Sequence, residues 1–286
     1  MNHQKVRLAP GLHFVATPIG TARDITLRAL DTLASADVLA AEDTRSLRRL
    51  MEIHGVPLEG RRIHAYHDHS GEAVRARLVA AMAEGRSVAY ASEAGMPLIA
   101  DPGFDLARAA TAAGQTVTAA PGPSALTTAL ALAGLPTDAF FFAGFLPPAR
   151  AARKARLETL ARIPGTLVFY ESPQRVAATL TDMAEVLGAD REAALCRELT
   201  KKFEDVRRAP LQALADQLGE APVKGEIVLV VDRATKPDVK ETDVEQDLLA
   251  AMAGNSLRDA ADLVARMHGL PKRQVYQTAL KLGKNY

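Results

Sequence analysis

The stretch Val88-Ala89-Tyr90-Ala91-Ser92-Glu93-Ala94-Gly95-Met96-Pro97-Leu98-Ile99-Ala100-Asp101-Pro102-Gly103 passes from an apolar run straight into a loop of acids, small residues, glycine and proline. It is echoed by Val117-Thr118-Ala119-Ala120, which runs into Pro121-Gly122-Pro123-Ser124. An open parallel sheet binds its ligand in the crevice outside the carboxyl ends of its strands. Two Gly/Pro loops of this kind at strand ends therefore predict a small-molecule site on an α/β sheet, and an enzyme built around it.

Working outward, short apolar runs alternate with Ala/Leu/Arg patterns at helical spacing. Strands are predicted at Leu12 to Ala16, Val38 to Ala41, Ile63 to Tyr66, Ser87 to Ser92 and Val117 to Ala120. Helices are predicted around Leu27 to Ala34, Arg45 to His54, Glu72 to Ala83 and Phe104 to Ala113. After Gly134-Leu135-Pro136 a second α/β domain begins, with apolar runs at Phe140 to Phe145, Thr166 to Tyr170, Ala194 to Glu198 and Glu226 to Val231. Asp232 to Glu241 is polar, carries Pro237 and reads as a linker. Beyond it, Ser256 to Met267, Gly269-Leu270-Pro271 and Lys272 to Leu282 have the pattern of helix, turn and helix. The expected domains are thus residues 1–135, 136–235 and 236–286.

At 286 residues and 48% hydrophobic, the chain can fill a core for each of two α/β domains. No apolar run approaches the roughly 18 residues that cross a bilayer, and the start lacks a signal-peptide core, so the cytoplasm is expected. The single cysteine, Cys196, lies in an apolar run and reads as packing rather than as a nucleophile. The net charge of +1 does not advertise a nucleic-acid partner. Locally, Asp238 to Asp247 carries five acids and one lysine, whereas Arg266 to Tyr286 carries five cations and no acid. Arg150, Arg153, Lys154 and Arg156 form a second basic stretch, unfavourable at a helix start unless an anion lies nearby.

No two glycines stand two positions apart, which rules out G-x-G-x-x-G, and no Gly-Lys-Ser/Thr makes a P-loop. The loops suit a ligand with hydroxyls, an amine and an adenine better than one with a pyrophosphate. Glu93 is placed to accept from an amino or ribose group, and Ser124 opens a helix whose free amides can hold a carboxylate. S-adenosylmethionine has these features; an ordinary turn capped by Ser124 explains the same residues.

The motifs also come in a telling order. They run Thr17-Pro18-Ile19-Gly20, Asp24 to Leu30, Ala41-Glu42-Asp43-Thr44-Arg45, Tyr66-His67-Asp68-His69, Ser92 to Gly103 and Pro121 to Ala125. Then follow Gly144-Phe145-Leu146-Pro147, Tyr170-Glu171-Ser172-Pro173, Arg197 to Lys201 and Lys224-Gly225-Glu226. This series resembles the bacterial methyltransferases that modify the ribose 2'-hydroxyl of a cytidine in 16S ribosomal RNA, a branch of the tetrapyrrole-methylase superfamily. The resemblance runs over residues 12–232, and the tail is similar to that family's helix-turn-helix extension. It implies two α/β domains of the class III methyltransferase type with S-adenosylmethionine in the cleft between them. It also implies a homodimer, a substrate of 16S rRNA or the small ribosomal subunit near the decoding centre, and no metal. On the matching motifs it assigns the cofactor to Pro18, Ser92, Glu93, Ala94, Gly95, Ser124, Ala125, Tyr170, Glu171, Leu199 and Gly225. Three positions depart from the family pattern: Glu93 stands for a common Asp, Ala100 for a usual Ser and Thr21 for a frequent Asn.

Transfer of a methyl group to a ribose hydroxyl requires alignment and an acceptor for the hydroxyl proton. Glu42 and Asp43 follow the strand Val38 to Ala41 and are candidate bases, and Arg45 is placed to grip a phosphate. Asp24 and Asp101 are further candidates. Asp43 equally reads as a helix N-cap, and Glu42 with Arg45 as an ion pair. Glu198 and Lys201 read either as cofactor or phosphate contacts, Lys201 being counted with the catalytic set, or as a strand-end ion pair. His64, His67 and His69 with Asp68 have a spacing seen in metal sites, but a hydrogen-bonded or RNA-facing loop fits better. Two other functions share these features: a small-molecule tetrapyrrole methyltransferase, and a non-catalytic RNA-binding factor on a methylase scaffold. The motif Ala41 to Arg45, Gly144-Phe145-Leu146-Pro147 with its basic follow-on, and the basic tail favour a polyanion over a porphyrin-like acid, and the completeness of the loops favours catalysis.

Overall fold

The first half of the chain spells out a sheet covered on both sides. In the computed structural model, which describes residues 3–67, 70–218, 223–234, 241–268 and 270–283, five parallel strands lie in the order β3-β2-β4-β1-β5. These are β1 (Gly11–Val15), β2 (Val38–Ala41), β3 (Ile63–Ala65), β4 (Ser87–Ala91) and β5 (Val117–Ala120). Between them run α1 (Leu27–Ser35), α2 (Thr44–Ile53), α3 (Glu72–Ala83) and α4 (Phe104–Ala112). Side chains alternate across the pleat. Leu39, Ala41, Ala89 and Ala91 pack under Leu30, Leu33 and Leu47, while Val38, Ala40, Val88 and Tyr90 meet Leu78, Met82 and Leu106 on the other face. A strand buried on both faces has no polar side, which is why β2 and β4 read as continuous rather than alternating runs.

The second sheet is mixed, in the order β6-β7-β10-β8-β9. It comprises β6 (Phe140–Phe145), β7 (Thr166–Glu171), β8 (Glu192–Arg197), β9 (Asp205–Pro210) and β10 (Ile227–Val231). Its one parallel pairing is between β6 and β7. Helices α6 (Arg150–Leu160), α7 (Val176–Leu187) and α8 (Leu211–Leu218) cover one face through Leu157, Leu180, Met183 and Leu214. The other face is covered by α5 (Ala125–Ala133), the helix that leaves the first sheet. Its Leu126, Ala129, Leu130 and Ala133 pack on Val168, Ala194, Cys196, Val228 and Val230. One helix therefore ties both sheets into a single unit, Met1–Arg233, and sets its own N-terminus where they meet.

Strand β9 is absent from the sequence prediction. Its run Asp205-Val206-Arg207-Arg208 is charged, because it is an edge strand whose arginines turn toward Asp205 and the Leu132 carbonyl. The basic stretch on α6 also finds its anions inside the protein. Arg153 bonds the buried Asp182 at 2.6 Å, Arg150 reaches Asp182 and Glu185, and Lys154 reaches Glu185 at 2.7 Å. Three of its four cations are thus internal braces between α6 and α7 and lend no weight to a polyanion site.

The C-terminal unit, Ala234–Tyr286, holds α9 (Glu241–Met252), α10 (Leu257–His268) and α11 (Lys272–Gly283) among its described residues. Val244, Leu248, Ala261, Val264, Val275 and Ala279 form its core. The predicted helix-turn-helix is α10 and α11, and α9 occupies what the sequence left unassigned after the linker. Among the described residues, no helix is long and apolar enough to cross a membrane.

Candidate active site

Strand β4 ends at Ala91, and the chain after it is pinned to the end of β1. Thr17 and Gly95 exchange backbone hydrogen bonds of 2.9 and 3.0 Å, and the Thr17 hydroxyl donates to the Ser92 and Glu93 carbonyls. Ser92 is buried, and its own hydroxyl donates to the Gly95 carbonyl at 3.0 Å. Beyond this clasp the loop takes left-handed backbone at Gly95, Leu98, Ala100 and Gly103. Two of these are not glycine, and such conformations persist only where surrounding structure over-determines them.

Under this loop lies a cavity of about 360 Å³ between the strand ends of the two sheets. Ala94, Gly95, Met96, Ile99 and Asp101 form one wall, Ser124 and Ala125 another, and Tyr170, Glu171, Leu199, Gly225 and Glu226 the third. The size suits a small cofactor and the lining is mostly apolar with a few polar groups, as such sites usually are. Ser124 is the N-cap residue of α5, yet its hydroxyl makes no capping bond. It faces the Tyr170 phenol together with the Leu126 amide; burial pushes that phenol above its usual range, and these two groups pull against the shift. Glu171 turns its carboxylate away, to Thr179 at 2.7 Å, the Ser172 amide at 2.8 Å and Arg175. It therefore shapes the wall more than it offers a charge.

Gly225 is the tightest point of the lining. Its φ is +95°, and a β-carbon there would sit 2.4 Å from Glu198 Cγ. Glu198 in turn accepts from the Glu226 amide at 3.0 Å and from Lys201 at 2.9 Å, and these bonds, the backbone one foremost, hold its carboxyl below the usual range. Lys201 bridges Glu198 and Glu226; burial opposes its charge, but the two carboxylates outweigh that and raise its pKa. The turn carrying them closes on the β1 loop: the Thr200 hydroxyl accepts from the Thr21 amide, and Gly20 leaves room for Thr200 Oγ1.

A second, more open cleft of about 670 Å³ lies across the Thr17–Gly95 clasp. Pro18, Ser92 and Glu93 face this side together with Asp43, Arg45, Ser46 and Arg49. Asp43 is the N-cap of α2: its Oδ1 accepts from the Arg45 and Ser46 amides at 2.7 and 3.2 Å, and its Oδ2 from Arg45 Nη2 at 3.2 Å. The Arg45 bonds first, then the Ser46 amide, hold the Asp43 carboxyl below its usual range. The Arg45 ion pair is with Asp43 rather than Glu42, and the Arg45 side chain stays 91% exposed. Glu42 Oε2 accepts from the Glu93 amide at 3.1 Å, so it fixes the loop between the two cavities.

Eight of the eleven residues assigned to the cofactor thus line one cavity, and Pro18, Ser92 and Glu93 line the adjoining cleft. Met96, Ile99, Asp101 and Glu226 join the cavity from within motifs already quoted, whereas Ile227 and Val228 belong to β10 and carried no local signal. Arg49, one turn after Arg45 on α2, is the cleft residue the sequence reading missed. His64 and His67 belong to no group of metal-binding side chains among the described residues, and Asp68 and His69 lie outside those residues.

A parallel sheet and a mixed sheet joined over a cofactor-sized cavity form the class III methyltransferase fold, and residues 11–215 match the family model of Tetrapyrrole (Corrin/Porphyrin) Methylases. Solved structures agree on the fold: diphthine synthase aligns with a TM-score of 0.61 at 18% identity over 78% of this chain and 90% of that one. Uroporphyrin-III-C-methyltransferase from Thermus thermophilus aligns with a TM-score of 0.53 at 25% identity, over 78% and 95%. Residues 238–283 match the RsmI C-terminal HTH domain. Ribosomal RNA small subunit methyltransferase I of Mesorhizobium japonicum is 47% identical over 276 residues, covering 96% of this chain and 93% of its own. The enzymes of that name from Vibrio cholerae and Escherichia coli O157:H7 are 42% and 40% identical, the latter over 98% of both chains. The chain belongs to the ribosomal RNA small subunit methyltransferase I family.

Proposed function

We propose that the protein transfers a methyl group from S-adenosylmethionine to the ribose 2'-hydroxyl of a cytidine in 16S ribosomal RNA, near the decoding centre of the small subunit. The observation that carries this reading is the pairing of a largely apolar cavity with a more open cleft bearing Arg45 and Arg49, one on each side of the Thr17–Gly95 clasp. The cavity suits the cofactor: it offers apolar walls, the Ser124 hydroxyl beside the Tyr170 phenol at the start of α5, and the carboxylates of Asp101 and Glu226 for an amine or ribose. Ala94, Gly95, Ala125, Tyr170, Glu171, Leu199 and Gly225 complete its walls, and Pro18, Ser92 and Glu93 fix the loop from the cleft side. The cofactor supplies an electrophilic methyl group on a sulfonium that leaves readily.

The protein supplies alignment and a proton acceptor. Arg45, exposed and oriented by Asp43, grips a phosphate of the target strand. Asp43 is a weak base because its charge is held by the helix amides and Arg45, so its part is to aim Arg45. Glu42 takes the hydroxyl proton, one of its carboxylate oxygens being fixed by the Glu93 amide. Lys201 acts indirectly, bracing Glu198 and Glu226 behind the cofactor.

In this reading the protein is a cytoplasmic homodimer, with residues 1–135 and 136–235 as its two lobes and 236–286 as an RNA-binding extension. The edge strand β6 supports pairing between copies, because Phe140, Phe141 and Phe145 are all exposed along it. The deciding experiment is a ribose-methylation map of small-subunit RNA from cells lacking the gene. One cytidine mark disappears and returns when purified protein and S-adenosylmethionine are added; an unchanged map would overturn the reading.

A further inference from the structure

Helix α11 has two faces with different chemistry. Val275 and Ala279 point into the core of the C-terminal unit. Arg273, Tyr276, Gln277, Leu280 and Lys281, at spacings of three and four, form an exposed stripe. The helix contains no acid. The carboxylate with which it pairs, Asp262 of α10, is shared by Arg266 and Lys272. Among the described residues, Arg273 and Lys281 therefore carry no ion-pair partner, and an aromatic ring 37% exposed lies between them on the stripe.

Resting on the RNA reading above, we propose that this stripe of α11 binds single-stranded RNA, with Arg273 and Lys281 on phosphates and Tyr276 stacked on an unpaired base. The charge pattern selects a polyanion: two cations with no ion-pair partner among the described residues, and no acid on the same helix. The ring selects the strand state. A base inside a duplex has both faces covered by its neighbours, whereas an unpaired base offers a face to an aromatic side chain. Gln277 is one helical position beyond Tyr276 and presents an amide for a base edge, and Leu280 extends the apolar surface under it. A helix built only to meet duplex phosphates has no use for an exposed tyrosine and leucine at its centre.

The test uses full-length protein and a labelled single-stranded RNA oligomer, compared with the duplex formed with its complement. Tyr276→Ala weakens single-strand binding at least about fivefold, the low end for loss of one stacked base, and leaves duplex binding unchanged. Tyr276→Phe retains the parent affinity. Arg273→Ala and Lys281→Ala each reduce the slope of log affinity against log salt by about 0.7, the amount expected for one phosphate contact on a single strand. The proposal is overturned if Tyr276→Ala binds like the parent, if it loses as much on the duplex, if Tyr276→Phe falls as far, or if the parent ignores the single strand. S-adenosylmethionine affinity and methylation of the small subunit by the parent protein are measured alongside. Failure of the function proposed above appears there, whatever the α11 variants do.

Discussion

Gly225 and Glu198 approach so closely that a β-carbon on the glycine would lie 2.4 Å from the glutamate Cγ. The glutamate cannot step aside without giving up its bonds to the Glu226 amide and Lys201. This contact defines the cavity wall on the β10 side.

Gly225→Ala therefore displaces Glu198 and strains a left-handed backbone position at once. We expect S-adenosylmethionine affinity to fall by tenfold or more, with a stability loss of about 1–3 kcal/mol. Calorimetric titration and denaturant unfolding measure the two effects, and unaltered affinity would remove this wall from the cofactor site.

Glu42 and Asp43 are neighbours with separable roles. Glu42→Gln keeps an acceptor for the Glu93 amide but cannot take a proton, so kcat should drop by about 10²–10⁴ while cofactor affinity holds. Asp43→Asn keeps a capping oxygen and weakens the hold on Arg45, so its main effect should be a raised KM for RNA. Single-turnover methylation assays distinguish the two. The reverse ranking would return the base role to Asp43.

The buried Arg153–Asp182 pair, reinforced by Arg150, joins α6 to α7. Burial works against the Asp182 charge, but the two arginines outweigh it and hold the carboxyl below its ordinary value of 3.8. A lowered folded-state pKa gives stability that is complete above the unfolded value and lost as pH falls through the folded one. Asp182→Asn should cost about 3–5 kcal/mol at neutral pH. The gap from the parent should narrow below about pH 4, the ordinary carboxylate range. Urea unfolding at several pH values tests this, and a gap independent of pH would show that the charge is not what matters.

Cys196 is fully buried between α5 and the second sheet, and burial pushes its thiol up to about 11. It should not react with a thiol reagent at pH 8 in the folded protein, and should react stoichiometrically once denatured. Rapid labelling of the native chain would contradict the packing described here.

Much of this architecture is legible without coordinates. Strands β2, β4 and β5 were readable to within a residue as short runs closed by polar or proline residues, and helix α3 as an Ala-rich stretch set between Gly71 and Gly85. β9 was not, because an edge strand needs no apolar face and its arginines hide the pattern. The α6 cations illustrate a different limit: their partners Asp182 and Glu185 lie about thirty positions away on α7, a separation at which sequence carries no pairing information.

By itself the sequence determined the two α/β halves, the strand-end loops, the lack of a pyrophosphate loop and the order of motifs, because these depend on local periodicity and turn chemistry. Tertiary structure decided which side of the Thr17–Gly95 clasp each motif faces. Ala94, Gly95 and Ser124 open into the cavity, while Pro18, Ser92 and Glu93 turn to the Arg45 cleft. It also made Asp43 a helix cap and left Glu42 on the loop. Neighbouring residues at a strand end diverge according to which backbone amides and carboxylates the packing brings to them. Those partners come from β1, β4, α2 and α5 together, and only the folded chain assembles them.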